Sequence, residues 1–152
     1  MIQSVADLTP THLRLAEQAG PDQAVVNLTT EDLREALTYV VGLDGILRLA
    51  PRRSEHVACA SGSDVLGAGE ITITRNGTVS DITNQSTGYC PDIASWSAVA
   101  AALHRAGLNA PDGFTAEVVF RRCTECSERN IVRDGDLTCA ICDAALPAHW
   151  NF

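Results

Sequence analysis

Four of the six cysteines in this 152-residue chain fall as two Cys-x-x-Cys pairs, Cys123/Cys126 and Cys139/Cys142, separated by the twelve residues SERNIVRDGDLT. Four soft thiolates at this spacing suit one tetrahedral zinc ion, and such a set leaves no open position for a reacting water. The expected role of the metal is therefore structural. Free thiols, or two disulfides in an exported protein, are the alternatives. Redox chemistry at a Cys-x-x-Cys pair wants an exposed, acidified thiol at a helix N-terminus, which neither pair offers.

The spacer carries Asp134-Gly135, a turn dipeptide, between Ile131-Val132 and Leu137. A hairpin there returns the second pair to the first. Residues 123–142 thus resemble a zinc ribbon, in which two cysteine knuckles grip one metal, and the resemblance implies a structural four-cysteine site made of Cys123, Cys126, Cys139 and Cys142. One departure stands out. Such knuckles place glycine after the second cysteine to allow a positive φ, whereas this chain has Ser127 and Asp143. With four cysteines available, His149 is not needed as a ligand. The tail LPAHWNF ends in Trp150 and Phe152, rings that either cover the hairpin or plug into a partner.

A second candidate set lies in residues 56–91. His56, Glu70 and Tyr89 could serve as base, acid and hydrogen-bond donor. The alternative is that His56 bonds within a core, Glu70 is solvated and Tyr89 anchors a corner. Cys59 and Cys90 lie outside the ribbon; as a nucleophile Cys90 would need His56 or His104 beside it, and buried inert thiols are commoner. The matching positions His56, Ser61-Gly62, Val65, Ala68-Gly69-Glu70, Gly77, Ser86, Tyr89 and Pro91 resemble a module of bacterial toxin-like proteins and of plant calmodulin-binding proteins with IQ motifs. That module has a Ser-Gly-His-Tyr-x-Pro signature. Here the stretch reads Ser86-Thr87-Gly88-Tyr89, so chemistry needing the signature's histidine is absent. An enzyme built on His56, Glu70 and Tyr89 would be a small group-transfer catalyst using NAD or ADP-ribose.

The elements that must position these residues follow from caps and periodicity. Thr9, Pro10 and Gly20 bracket one helix. Thr29 or Thr30 caps a second, whose apolar stripe is Leu33, Leu37, Val40 and Val41, ending at Gly42. GILRLAP and SEHVACASG read as short strands. GEITITRNGTVSDIT reads as a hairpin turning at Asn76-Gly77, with Ile73 facing Ser80 and Ile71 facing Ile82. The glycines at 62, 67, 69, 77 and 88 suggest close backbone approaches or bulges. PDIASWSAVAAALHRAGLN is a helix capped by Asp92 or Ser95, lined by Trp96, Val99 and Leu103, and stopped by Gly107. GFTAEVVFRR alternates as a strand feeding Cys123.

The expected fold class is α+β: N-terminal helices, a central antiparallel sheet with a packed helix, and a C-terminal zinc ribbon. Residues 1–120 form the main domain, and 121–152 the ribbon with its aromatic tail. No run approaches a membrane span, and the N-terminus MIQSVADLTP lacks the pattern of a secretory signal, which points to the cytoplasm. Net charge is −8, and residues 114–152 hold four arginines against six acids. That balance disfavours nucleic acid and anionic lipid and favours a basic protein partner. The expected function is protein binding, as an immunity-like, adaptor or regulatory subunit carrying structural zinc.

Overall fold

The stretch LTYVVG, expected to close the second helix, is instead a strand, β1 (Leu37–Gly42). Its Thr38, Tyr39, Val40 and Val41 are β-branched or aromatic and suit a pleated surface. Both faces of β1 are buried, so the apolar residues run on without alternation and imitate helical spacing. The start of that helix and all of the preceding one lie outside the residues described by the computed structural model, which are 35–52, 55, 56, 60, 62–74 and 76–152.

β1 turns back into β2 (Leu47–Ala50), with Val41 opposite Leu47. The three-residue loop holds Gly45 at φ +74, and the Gly42 N–H donates to the Ile46 carbonyl. β3 (Val65–Ile73) pairs with the other edge of β1, and β4 (Val79–Ile82) pairs with β3. The sheet order is β2-β1-β3-β4, antiparallel throughout. Ile71 faces Ile82 as expected, but Ile73 faces Val79 rather than Ser80. The turn is one residue longer than the two-residue type: Gly77 sits at φ +82 and donates to the Thr74 carbonyl, giving the bulged three-residue connection. The bulge puts Val79 into the core beside Ile71, Ile73 and Ile82.

The expected strand at SEHVACASG is absent at its described residues. His56 is helical, and the Ala60 N–H donates to the His56 carbonyl at 3.0 Å. Val40, Ala50, Ala60 and Ala68 form a small cluster on this face of the sheet, with Tyr89 packed against it.

A 3₁₀ turn (Ile93–Ser95) leads into α1 (Trp96–Arg105). Neither Asp92 nor Ser95 caps through its side chain; the Ser95 hydroxyl donates to the Asp92 carbonyl instead. The C-terminus is as expected. Gly107, at φ +78, donates to the His104 carbonyl, and the N–H of buried Leu108 reaches the Leu103 carbonyl. Those paired bonds make a Schellman motif. Val99, Ala102 and Leu103 pack on the Tyr39–Ile71 face of the sheet. Gly67 permits that approach, since a β-carbon there would lie 2.6 Å from Val99 Cγ2.

The chain then runs beside β4 through single bridges, Thr78 to Asn109 and Thr83 to Ala116. The strand expected from Phe114 is confined to β5 (Val119–Arg122). Phe114 turns inward, its ring 5.0 Å from that of Trp96. β5 pairs with β6 (Arg129–Val132) as a separate two-stranded sheet.

Candidate metal centre

The first knuckle is the connection between β5 and β6. The Cys123 N–H donates to the Glu128 carbonyl at 2.8 Å, and the Ser127 N–H to the Cys123 carbonyl at 2.9 Å. The second knuckle repeats the pattern: Cys139 N–H to the Ala144 carbonyl at 2.8 Å, and Asp143 N–H to the Cys139 carbonyl at 3.0 Å. Ser127 stands at φ 64 and Asp143 at φ 61. These are the two positions where a ribbon knuckle places glycine, and both take up the left-handed backbone without one.

Between the knuckles the chain turns at Asp134-Gly135, φ 52 and 73, with the Asp136 N–H donating to the Arg133 carbonyl. Positive φ at both central residues defines a type I′ turn. The returning chain pairs with residues beyond the second knuckle: Thr138 bridges Ala145, and the Leu146 N–H donates to the Leu137 carbonyl.

The result brings Cys123, Cys126, Cys139 and Cys142 together, with all four sulfurs within 4.8 Å of one another. Cys123 and Cys142 approach to 3.5 Å, and Cys126 and Cys139 to 3.6 Å. A tetrahedron with metal–sulfur bonds of about 2.3 Å has edges of about 3.8 Å, so the cluster has the dimensions to hold a metal ion. The thiols are free rather than disulfide-bonded. Cys123 and Cys139 are buried, while Cys126 and Cys142 face solvent.

The electrostatics of the four sulfurs are unequal. N–H groups of Cys142 and Ile141, together with the Asn130 side-chain amide, bring the Cys139 thiol down to about 6. At Cys126 the Glu128 N–H pulls the other way from burial and the three neighbouring thiols, which win and push it up to about 12. Four thiols in one small space cannot all ionise until a cation joins them.

Asn130 is a participant that the cysteine spacing does not announce. It is 5% exposed; its Nδ2 donates to Cys139 Sγ at 3.5 Å and to the Glu128 carbonyl, and its Oδ1 accepts the Ala140 N–H at 2.9 Å. It ties the first knuckle to the second and supports the Cys139 sulfur from outside the cluster, the position that partners of metal ligands commonly take. A polar residue at an inward position of a short ribbon strand is the signal that could have found it.

The ribbon is bolted to the rest of the molecule. Buried Asn84 pairs with Val118 as a strand residue would, accepting its N–H and donating to its carbonyl, both at 2.7 Å, and also reaches the Pro91 carbonyl. Arg129 Nη1 donates to the carbonyls of Thr87 and Gly88. The tail closes over the junction. Trp150 Nε1 donates to the Cys90 carbonyl at 2.7 Å, and Asn151 pairs with the backbone of Arg122 in both directions. Phe152 lies under the Arg122 guanidinium. Trp150 and Phe152 therefore clasp β5 to the 86–90 loop; His149 is exposed and outside the cysteine group.

The second candidate set is engaged with main chain. His56 Nε2 donates to the Gly69 carbonyl at 2.8 Å, and the Tyr89 hydroxyl donates to the Ser63 carbonyl. The Glu70 backbone pairs with Thr83 through both its N–H and its carbonyl. Ser86 is buried and its hydroxyl accepts the Tyr89 N–H, closing the Ser86–Cys90 turn. Cys90 is 1% exposed, its sulfur directed at the Thr87 carbonyl rather than an imidazole. Burial pushes the Cys90 thiol up against the pull of Arg129 and Arg122. His104 is exposed on α1, and Cys59 lies outside the described residues. Among the described residues no helix is long and apolar enough to cross a membrane. No protein family, no curated protein and no solved structure matches this chain, so the likeness of residues 56–91 to the toxin-like and IQ-motif proteins rests on its own few residues.

Proposed function

We propose that this chain is a cytosolic protein-binding module, an adaptor, regulatory or immunity-like subunit, whose C-terminal cysteines hold one structural zinc. The observation that carries the reading is the pairing of a closed four-sulfur cluster with exposed aliphatic side chains on the same ribbon. Ile141 is 69% and Ile131 37% exposed. Four protein sulfurs fill a tetrahedral zinc and leave it no catalytic position. Exposed aliphatic residues beside such a rigid centre are what a partner surface needs. The engagement of His56 and Tyr89 with main-chain carbonyls supports a scaffolding role for residues 56–91, and the acidic balance favours a basic partner.

The test pairs binding with catalysis. Zinc-loaded protein is used to capture partners, and each captured protein is tagged to retrieve this chain in return. Capture should be reciprocal and unchanged in His56→Ala and Glu70→Gln. The melting temperature should stay flat across millimolar NAD or ADP-ribose, because a ligand raises stability with the logarithm of its concentration over Kd. Stabilisation by either nucleotide, with turnover lost in those two variants, would replace the binder with the transferase.

A further inference from the structure

Beside the second knuckle lies a cleft of about 240 Å³ whose apolar wall is Phe120, Ile131, Ala140 and Ile141, with Cys90 at its inner end and Glu128 on its rim. Two features make it unlike an ordinary dent between loops. Its floor is fixed: Phe120 and Asn130 are buried, and Asn130 holds the Ala140 N–H. Its lip is Ile141, the most exposed of the large apolar side chains among the described residues.

The knuckles that flank it are acidic on balance. Glu125, Glu128 and Asp143 are exposed on the two knuckles that flank the cleft. Arg129 lines it too, donating Nη1 to the carbonyls of Thr87 and Gly88, and Arg122 faces Arg129 across the β5–β6 pair, so the acids outnumber the arginines without excluding them. Residues 123–143 hold five acids against two arginines. With one divalent ion bound, four thiolates would moreover make a dianion, and two of the sulfurs, Cys126 and Cys142, are exposed.

On the reading of the chain as a zinc-stabilised binding module, we infer that this cleft seats an aliphatic side chain of a positively charged segment from another protein. The volume fits one branched side chain with its neighbouring backbone, not a nucleotide or a folded domain. A second copy of this chain is a poor occupant, because each copy carries −8 and like fields repel. Nucleic acid meets the same repulsion from its phosphates. A segment with lysine or arginine on either side of a leucine, isoleucine or valine satisfies both the wall and the rim.

The experiment pans a phage library of random twelve-residue peptides on the zinc-loaded protein, with measured zinc content as the check on folding. The recovered peptides should share an aliphatic residue flanked by basic ones. Synthetic copies should bind Ile141→Ser at least tenfold more weakly and Glu128→Lys at least threefold more weakly. Both side chains are exposed, so both variants are expected to load zinc as the unaltered protein does, which the zinc measurement checks. Affinity for the unaltered protein should fall as salt rises. Recovered peptides that are acidic or lack the aliphatic residue would overturn the inference, as would equal binding to Ile141→Ser. Peptides that bind all three proteins equally leave the binding-module reading intact on another surface. No enrichment, together with no reciprocal partner, removes both.

Discussion

Replacing Asn84 by alanine is the sharpest test of how the ribbon is attached. Asn84 is fully buried and makes three hydrogen bonds: the Val118 N–H to its Oδ1, and its Nδ2 to the carbonyls of Val118 and Pro91. Truncation leaves the Val118 N–H without an acceptor, which costs about 1–3 kcal/mol, and deprives two carbonyls of a donor at about 1 kcal/mol each. The expected loss is about 3–5 kcal/mol, a large share of the roughly 5–15 kcal/mol that holds a typical domain together. Urea unfolding followed by tryptophan fluorescence measures it. Trp96 reports the main core and Trp150 the clasp, so a Trp150→Phe background separates the two. Asn84→Asp adds an arm with a defined sign. An aspartate keeps the acceptor for Val118 but as a carboxylate faces two carbonyls, so burial raises its folded-state pKa. A raised pKa contributes stability below the unfolded value of about 3.9 and loses it as pH rises. The variant should therefore be weakest at neutral pH and recover towards about pH 4. A loss below about 1 kcal/mol for Asn84→Ala, with an unchanged urea slope, would refute the reasoning.

Three further outcomes follow from the same geometry. A β-carbon on Gly69 would lie 1.9 Å from the Thr83 carbonyl oxygen, main chain that also accepts the Tyr39 hydroxyl. Gly69→Ala should thus cost about 3 kcal/mol or more, while Gly113→Ala, with nothing within 4 Å, should stay within about 0.5 kcal/mol in the same urea titration. Glycine at Ser127 or Asp143, both at positive φ, should gain up to about 1 kcal/mol each and slow zinc transfer to a chromogenic chelator; faster release would show that these side chains do more than tolerate the turn. Chelation should remove hydrogen-exchange protection from residues 119–152 and leave β1–β4 and α1 protected, because metal affinity and local folding are one free energy; uniform loss would mean that the ribbon and the sheet fold as a single unit.

What can be read from the chain beforehand divides by the range of the interaction. The cysteine cluster, the Asp134-Gly135 turn, the Gly107 stop and the Ile71–Ile82 pairing are written in neighbouring residues, and each stands in the structure where its local signal puts it. β1 reads as helix because burial on both faces erases the alternation that marks a strand. The hairpin register differs by one residue because Asn76-Gly77 fits a two-residue turn as readily as a bulged one, and the choice moves Val79 rather than Ser80 into the core. The tail is the subtler case. Its rings are expected to cover the hairpin or a partner, and they clasp β5 to the 86–90 loop, an arrangement set by contacts as distant as Trp150 to Cys90.

Three asparagines carry the part that no local signal announces. Asn84 and Asn151 each pair a side-chain amide with one residue's N–H and carbonyl as a strand pairs a peptide group, Asn130 links the Ala140 N–H to the Glu128 carbonyl, and the three lie at successive joints: main sheet to β5, tail to β5, and first knuckle to second. An amide side chain has an acceptor and a donor in nearly the geometry of a backbone unit, so it can continue a ladder where the chain itself has turned away. That explains how a ribbon with only two regular strands is held to a sheet it does not join. It also gives the four-cysteine cluster a place in a chain whose sheet has a core of its own. The cysteine cluster joins the two knuckles, Asn84 and Asn151 tie β5 and the chain leading into it to the 84–91 loop and the tail, and Ile131 and Ile141 stay exposed on that joined surface.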